Sequence, residues 1–219
     1  SGELKCAKGD IRIADTSLDD WPLKSLAKRR GVLLQESPLT FPFKVIDVVL
    51  MGRSAHHDGL ETQVDIEIAA KAIEKVGLSG FESRKYTQLS GGEKQRVHLA
   101  RVLSQVWSEE NLVNQRRYLL LDEPTVSQDL AAQHLVLSSA RHCADQGAAV
   151  LCVLHDLNQA AQYADRILLL CQGRTVALGT PQSTLTPSNL ELVYGVPVRV
   201  MTHDDYPHPI VLSAPVPSE

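Results

Sequence analysis

The sequence predicts an α/β fold, a parallel sheet into which a helical segment is inserted. Two patterns carry this. Tyr118–Leu121, Ala148–Leu154 and Arg166–Cys171 are short, nearly unbroken apolar runs, separated by helical stretches at Leu130–Gln146 and Leu157–Ala164. Buried strands alternating with helices are the mark of a parallel sheet covered on both faces. The middle of the chain, roughly 38 to 107, repeats its apolar residues at helical spacing and forms the insert. Among the 219 residues 43% are hydrophobic and 22% charged, the balance of one soluble domain with a core.

In chain order, Gly9–Ala14 alternates apolar and polar residues and reads as a short strand. Leu23–Arg30 has helical composition and stops at Gly31, after which Val32–Leu34 is a strand ending at Gln35. Pro38 and Pro42 break the chain before a helix at Val45–Met51, and Arg53–Thr62 is a polar loop. Asp65–Val76 is an amphipathic helix with Ile66, Ala69, Ala70, Ile73 and Val76 inward, closed by Gly77. The helix from Ser90 to about Trp107 carries the stripe Leu99, Val102, Leu103 and Val106, and Ser108–Arg117 is a polar loop. Beyond the core strands, Gly173–Gly179 returns as a hairpin partner. The segment bearing Pro207, Pro209, Pro215 and Pro217 reads as irregular or as an edge extension.

Composition excludes several classes. With 22 basic against 26 acidic residues, a net charge of −4 and a pI near 6.1, no polycationic surface for nucleic acid is available. Aromatics at 5% argue against base-stacking platforms. The longest apolar run, Ala148–Leu154, is too short to cross a bilayer, and Ser1–Cys6 lacks the apolar stretch of a signal peptide. Cys6, Cys143, Cys152 and Cys171 show no CxxC spacing and read as free thiols of a reduced, cytoplasmic protein.

Polar groups with chemical potential gather where strands end. Leu119–Pro124 is an apolar strand closing on two adjacent carboxylates, Asp122 and Glu123. In open parallel sheets ligands bind beyond the carboxyl ends of the strands. Asp122 is thus placed to hold the water shell of Mg²⁺ and Glu123 to polarise an attacking water, the alternative being a solvated turn. Leu89–Arg96 opens a helix, with Ser90 as cap and Gly91 and Gly92 letting a phosphate approach the backbone. His155 follows one apolar strand and Gln35 another. Each alone reads as a structural strand-end residue, and the shared placement makes the set informative.

These residues together resemble the motifs of an ABC-transporter ATPase. Gln35 resembles its Q-loop, Leu89–Arg96 its signature motif and Leu119–Pro124 its Walker B segment. Val126-Ser-Gln-Asp129 resembles a diverged D-loop and His155 the switch histidine, and the order and spacing hold from Ser1 to about Gly179. Phe41-Pro-Phe-Lys-Val-Ile-Asp-Val-Val-Leu-Met-Gly-Arg53 resembles the segment after the Q-loop in importers of haem, siderophores and cobalamin. Ala100–Trp107 and the tail Leu192-Val-Tyr-Gly-Val-Pro-Val-Arg199 are most similar to the haem branch.

The resemblance implies a P-loop NTPase-like parallel sheet core, incomplete at its N-terminus, carrying the inserted helical signature subdomain at 38–107 and a C-terminal extension at 180–219. All 219 residues are then one ATPase domain. A P-loop reads Gly-x-x-x-x-Gly-Lys-Ser/Thr, and no Gly-Lys pair occurs in this sequence. Ser1-Gly-Glu-Leu resembles the end of the helix that follows the P-loop. The expectation is therefore that the preceding stretch is missing from this sequence, leaving exposed core faces, and that the 219-residue polypeptide alone is inactive.

The resemblance further implies a homodimer binding two ATP molecules with Mg²⁺ head to tail. Ser90, Gly91 and Gly92 would contact the partner's γ-phosphate, Asp122 and Gln35 would support Mg²⁺, and Glu123 would be the general base. His155 would contact the γ-phosphate, and Asp129 would act across the dimer interface. The helical subdomain would dock on integral-membrane permease subunits, placing the protein peripherally on the cytoplasmic face of the inner membrane, with a substrate-binding protein engaged indirectly. His56 and His57 are set aside as haem ligands, since paired loop histidines are ordinarily solvated. The competing readings are a soluble ABC ATPase in DNA repair or translation, against which the short insert argues, and a non-catalytic remnant. Retention of Gln35, Ser90-Gly-Gly, Glu123 and His155 argues against the latter.

Overall fold

A computed structural model describes residues 6–35, 39–107 and 116–213. The readings of Ser1–Leu4 as a helix end, of Pro38 as a breaker, of 108–115 as a polar loop, and of Pro215 and Pro217 as irregular lie outside the described residues. The chain forms two compact units, up to Val153 and from Leu154, each described here by itself.

The first unit opens with a small hairpin, β1 (Arg12–Ile13) against β2 (Thr16–Ser17). It reverses at Ala14 and Asp15, whose φ angles of 49° and 64° give the twist a two-residue hairpin turn needs. That reversal cuts short the strand expected over Gly9–Ala14. Helix α1 (Leu23–Ala27) also ends earlier than expected, because Arg30 opens β3 (Arg30–Leu33) and pairs with Tyr118.

Three helices build the insert: α2 (Val45–Leu50), α3 (Gln63–Lys75) and α4 (Gly91–Gln105). Thr62 caps α3 by exchanging hydrogen bonds with Asp65, a reciprocal box that satisfies two helix-start donors. The buried stripe of α3 is Ile68, Ala69, Ala72 and Ile73, whereas Ile66 is 41% exposed. The helix is thus rotated from the expected face, and the cause is Asp65, drawn inward by Arg53. The Arg53 Nε donates to Asp65 over 2.9 Å and its NH1 donates to the Ser104 carbonyl over 2.7 Å, with both side chains buried. Arg53, expected in a polar loop, instead joins three helices. Gly52 beside it is required, since a Cβ there would lie 2.1 Å from the Arg101 carbonyl oxygen.

The sheet of this unit runs β3–β4–β5, all parallel, with β4 (Tyr118–Asp122) central and β5 (Ala149–Val153) at one side. Helix α5 (Leu130–Asp145) connects β4 to β5. Leu33, Leu119 and Leu121 bury one face against Val102 of α4 and Val136 and Ala140 of α5. Each such buried leucine contributes about 1.5–3 kcal/mol. On the opposite face Leu151 is 60% and Val153 48% exposed, and neither belongs to the buried core cluster among the described residues of this unit.

In the second unit, α6 (Leu157–Tyr163) precedes an antiparallel hairpin of β6 (Ile167–Cys171) and β7 (Arg174–Gly179), turned at Gln172-Gly173 with positive φ at both. Sequence placed β6 in the parallel sheet, but its ladder partner among the described residues is β7. Two helices follow that periodicity did not reveal, α7 (Pro181–Thr184) and α8 (Pro187–Tyr194). Both begin at a Thr-Pro pair, with Thr180 and Thr186 accepting from the amides of Ser183 and Asn189, and this signal was present in the sequence. Gly195 (φ 68°) ends α8 in the left-handed conformation. The final hairpin, β8 (Val198–His203) with β9 (Tyr206–Ser213), takes up Pro207 and Pro209. Prolines fit there because β9 pairs with β8 alone among the described residues.

Candidate functional site

Parallel pairing brings the ends of β3 and β4 side by side, and with them two predicted site residues. The Gln35 Nε2 donates to the Glu123 Oε2 over 2.8 Å. Glu123 sits at φ 49°, a conformation that a residue with a Cβ adopts rarely, and its amide donates to the Val153 carbonyl at the end of β5. Backbone strain of this kind, held by neighbouring strands, clusters at functional positions. Asp122 is the last residue of β4 and exposed, with its charge close enough to Cys152 to matter. Burial first, and the Asp122 carboxylate second, push the Cys152 thiol up to about 12.

The predicted phosphate-binding turn lies at the start of α4. Ser90 caps the helix by accepting from the Glu93 amide, and the Glu93 carboxylate accepts from the Ser90 amide over 2.7 Å. Hydrogen bonding to the Glu93 carboxylate by the Ser90 amide first, and by the Ser90 side chain second, lowers that carboxyl below its ordinary range. Glu93 was not singled out in the sequence, although Ser-x-x-Glu before an apolar helix announces such a box. Gly91 faces open space, so a ligand could approach its backbone. Gly92 is constrained from within the subunit: a Cβ there would lie 3.2 Å from the Ser127 carbonyl oxygen.

Ser127 belongs to the segment that leads from Glu123 to Asp129. Its φ is 60°. The Gln128 side chain donates to the Pro124 carbonyl over 2.9 Å, and Gln133 donates to the Gln128 carbonyl over 3.1 Å. Asp129 is exposed and caps α5 by accepting from the Ala132 amide over 2.8 Å. The glutamines that hold this segment were missed because amide-to-backbone bonds leave no periodic trace.

His155 lies two residues beyond β5, in the second unit, and is exposed. Asp156 beside it caps α6 by accepting from the amides of Asn158 and Gln159. The structure thus joins Gln35 to Glu123 directly and sets Ser90–Gly92 against the segment leading to Asp129.

Among the described residues no cluster of three or more His, Cys, Asp or Glu side chains could hold a metal by itself. The oxygen donors Asp122 and Gln35 fit a hard cation that keeps water and takes its remaining ligands from phosphate. A groove of about 620 Å³ lies away from these groups, on the helical insert, lined by Phe43, Leu50 and Met51 with Asp47, His57 and Glu61. Phe43 accepts from the Tyr86 amide over 2.8 Å, close in sequence to Ser90. His56 engages the Gln105 carbonyl through Nε2 at 2.7 Å, and its burial lowers its pKa, as for a structural histidine. No helix of the described residues is long and apolar enough to cross a membrane.

The ABC transporter family profile matches residues 1–126. The hemin import ATP-binding protein HmuV of Gloeobacter violaceus is 48% identical over 212 residues, covering 97% of this chain and 76% of the relative. HmuV of Deinococcus radiodurans is 47% identical over 216 residues, covering 96% and 81%. Among solved structures, an inward-facing transporter described as of metal-chelate type superposes with a TM-score of 0.70 at 27% identity, covering 85% of this chain and 72% of that one. The dimeric ATP-binding cassette MJ0796 with ADP and Pi superposes at 0.66 and 22% identity, covering 80% and 74%, a likeness of fold.

Proposed function

Because the chain belongs to the ABC transporter family, we propose that it is the ATP-hydrolysing, energy-coupling subunit of an importer for haem. The family supplies the ATPase chemistry, and the haem assignment is supported by hemin-import relatives at 45–48% identity. The observation that carries the catalytic reading is the 2.8 Å bond from Gln35 to Glu123 at adjoining strand ends.

Glu123 is the general base: its carboxylate takes the proton of the water that attacks the γ-phosphate. Gln35 orients that carboxylate and so reports the state of the site along β3. Ser90, Gly91 and Gly92 offer the γ-phosphate held by a second copy the helix N-terminus of α4, where unpaired amides and the helix dipole favour an anion. His155 contacts the same phosphate, and Asp129 acts across the interface between copies. Asp122 and Gln35 would hold Mg²⁺, which when bound neutralises phosphate charge. The protein's part in such chemistry is positioning and charge stabilisation.

Two copies of the chain, each one ATPase domain with the 38–107 insert and the 180–219 extension, would act with integral-membrane permease subunits on the cytoplasmic face of the inner membrane. The groove at Phe43, Leu50 and Met51 is the surface that receives the permease, since Phe43 is bonded to Tyr86, which leads to Ser90. A substrate-binding protein outside would deliver the cargo. The transporter complex, reconstituted in vesicles, is expected to hydrolyse ATP faster when a haem-loaded binding protein is added. Stimulation by a siderophore- or cobalamin-loaded protein and none by haem would overturn the assignment.

A further inference from the structure

Asn158 stands out in the second unit because it exchanges a pair of hydrogen bonds with one residue of the last strand. The Val211 amide donates to the Asn158 Oδ1 over 2.8 Å, and the Asn158 Nδ2 donates to the Val211 carbonyl over 3.2 Å. A side-chain amide thereby does for β9 what a neighbouring strand would do, satisfying one donor and one acceptor of an edge. Asn158 itself is exposed, and the buried side of the joint is Val211. Val211 is 8% exposed and packs with Ala161 of α6 and with Leu169 and Leu190.

On its other side Asn158 is tied to the turn that carries His155. Its backbone amide donates to the Asp156 Oδ1 over 2.8 Å, and the Gln159 amide donates to the same oxygen over 3.0 Å. Asp156, Asn158 and Gln159 therefore form one short hydrogen-bonded turn directly after His155, and the Asn158 side chain anchors that turn to a strand 53 residues further along.

We propose that Asn158 is a positioning residue for His155: by pairing with Val211 it lets the C-terminal hairpin set where the imidazole is presented to the terminal phosphate. The proposal rests on the role given to His155 above. Nothing in it requires the hairpin to touch nucleotide. The hairpin acts as a fixed reference for the start of α6, and loosening the joint frees the His155 turn without removing any group that meets ATP.

The test uses the purified transporter complex. Asn158→Leu removes both bonds while keeping the branching of the side chain, and Asn158→Asp keeps an acceptor for the Val211 amide while losing the donor. Asn158→Leu is expected to lower kcat by about tenfold to a hundredfold, the penalty of a misplaced group, with KM for ATP within about twofold of the parent. Asn158→Asp falls between. Single-turnover ATP cleavage then measures Asn158→Leu in a His155→Ala background, where it is expected to add no further loss, because coupled residues are non-additive. An unchanged kcat in Asn158→Leu, or an equal loss in both backgrounds, overturns the positioning role. A His155→Ala complex that keeps the parental kcat overturns the role of His155 itself. A complex silenced by His155→Ala yet indifferent to Asn158→Leu overturns the positioning role alone.

Discussion

The side-chain amide of Gln35 donates to the carboxylate of Glu123 over 2.8 Å across 88 residues of sequence. The bond exists because β3 and β4 run parallel and in register, Leu33 opposite Leu121, so that both strands release their next polar residues on the same rim. Replacing Glu123 by Gln keeps the shape and the hydrogen-bonding length while removing the base. In a longer chain that includes a P-loop, ATP binding and dimer formation are expected to persist and turnover to fall by about 10²–10⁴-fold. Equilibrium binding of labelled ATP beside steady-state hydrolysis measures both, and turnover at the parental rate would remove Glu123 from its role.

Gln35→Glu sets a second carboxylate against Glu123. Like charges at hydrogen-bond distance raise the pKa of the pair, so a larger share is protonated at any given pH. Since the base must be ionised, the acid limb of the pH–rate profile is expected to move to higher pH, with turnover reduced at pH 7. A profile that keeps the parental acid limb would show that the two side chains do not meet in the working enzyme.

Asp65 tests the frame of the helical insert. Burial alone would raise its carboxyl, but bonds from the Thr62 backbone, Arg53 and the Thr62 hydroxyl hold it down to about 2. A folded-state value below the unfolded one, near ~3.9, stabilises at pH above both. That contribution is expected to be lost as pH falls from about 5 towards 2, and Asp65→Ala should abolish this part of the acid dependence. At neutral pH the variant leaves the buried Arg53 without its counter-charge, costing about 3–5 kcal/mol. Thermal unfolding across pH measures both effects.

Cys152 offers a chemical probe of the strand end. Its thiol is pushed up to about 12 by burial and by Asp122, whereas Cys6 is exposed. Thiolate is the reactive form, so iodoacetamide at pH 8 is expected to label Cys6 well before Cys152. Peptide mapping over time reads the order, and early labelling of Cys152 would contradict its surroundings. Asp122→Asn should quicken its labelling, because the charge that opposes thiolate formation is gone.

The parts of the fold and site that were legible in sequence are those in which chemistry and periodicity coincide. An apolar strand closing on Asp122 and Glu123 needs no partner to be recognised, nor does Ser90 capping a long helix. Legibility failed where a distant contact decided the outcome. The inward face of α3 is set by Arg53 reaching Asp65, and no count of apolar residues on α3 reveals it. That core faces would be exposed was expected, but that Leu151 and Val153 are the residues left open is not written in the composition of their strand. The small helices α7 and α8 are too short for periodicity, and Thr-Pro pairs were their only trace. The pairing of Asn158 with Val211 lies furthest from view, since an asparagine near a helix start suggests capping long before it suggests a strand.

Gly52 has a mechanical meaning for the helical insert. A Cβ there would stand 2.1 Å from the Arg101 carbonyl oxygen and 2.5 Å from the Ser104 hydroxyl, so the two backbones meet closely with only that small side chain beside them. Arg53 next to it clamps α3 and α4 together from inside. Around that contact Val48, Val49, Ala69, Ile73, Leu99 and Leu103 share one packed core, so the three helices are joined both by close backbone approach and by side-chain packing. A displacement at the Phe43 groove is therefore expected to reach Ser90 through the three helices moving together.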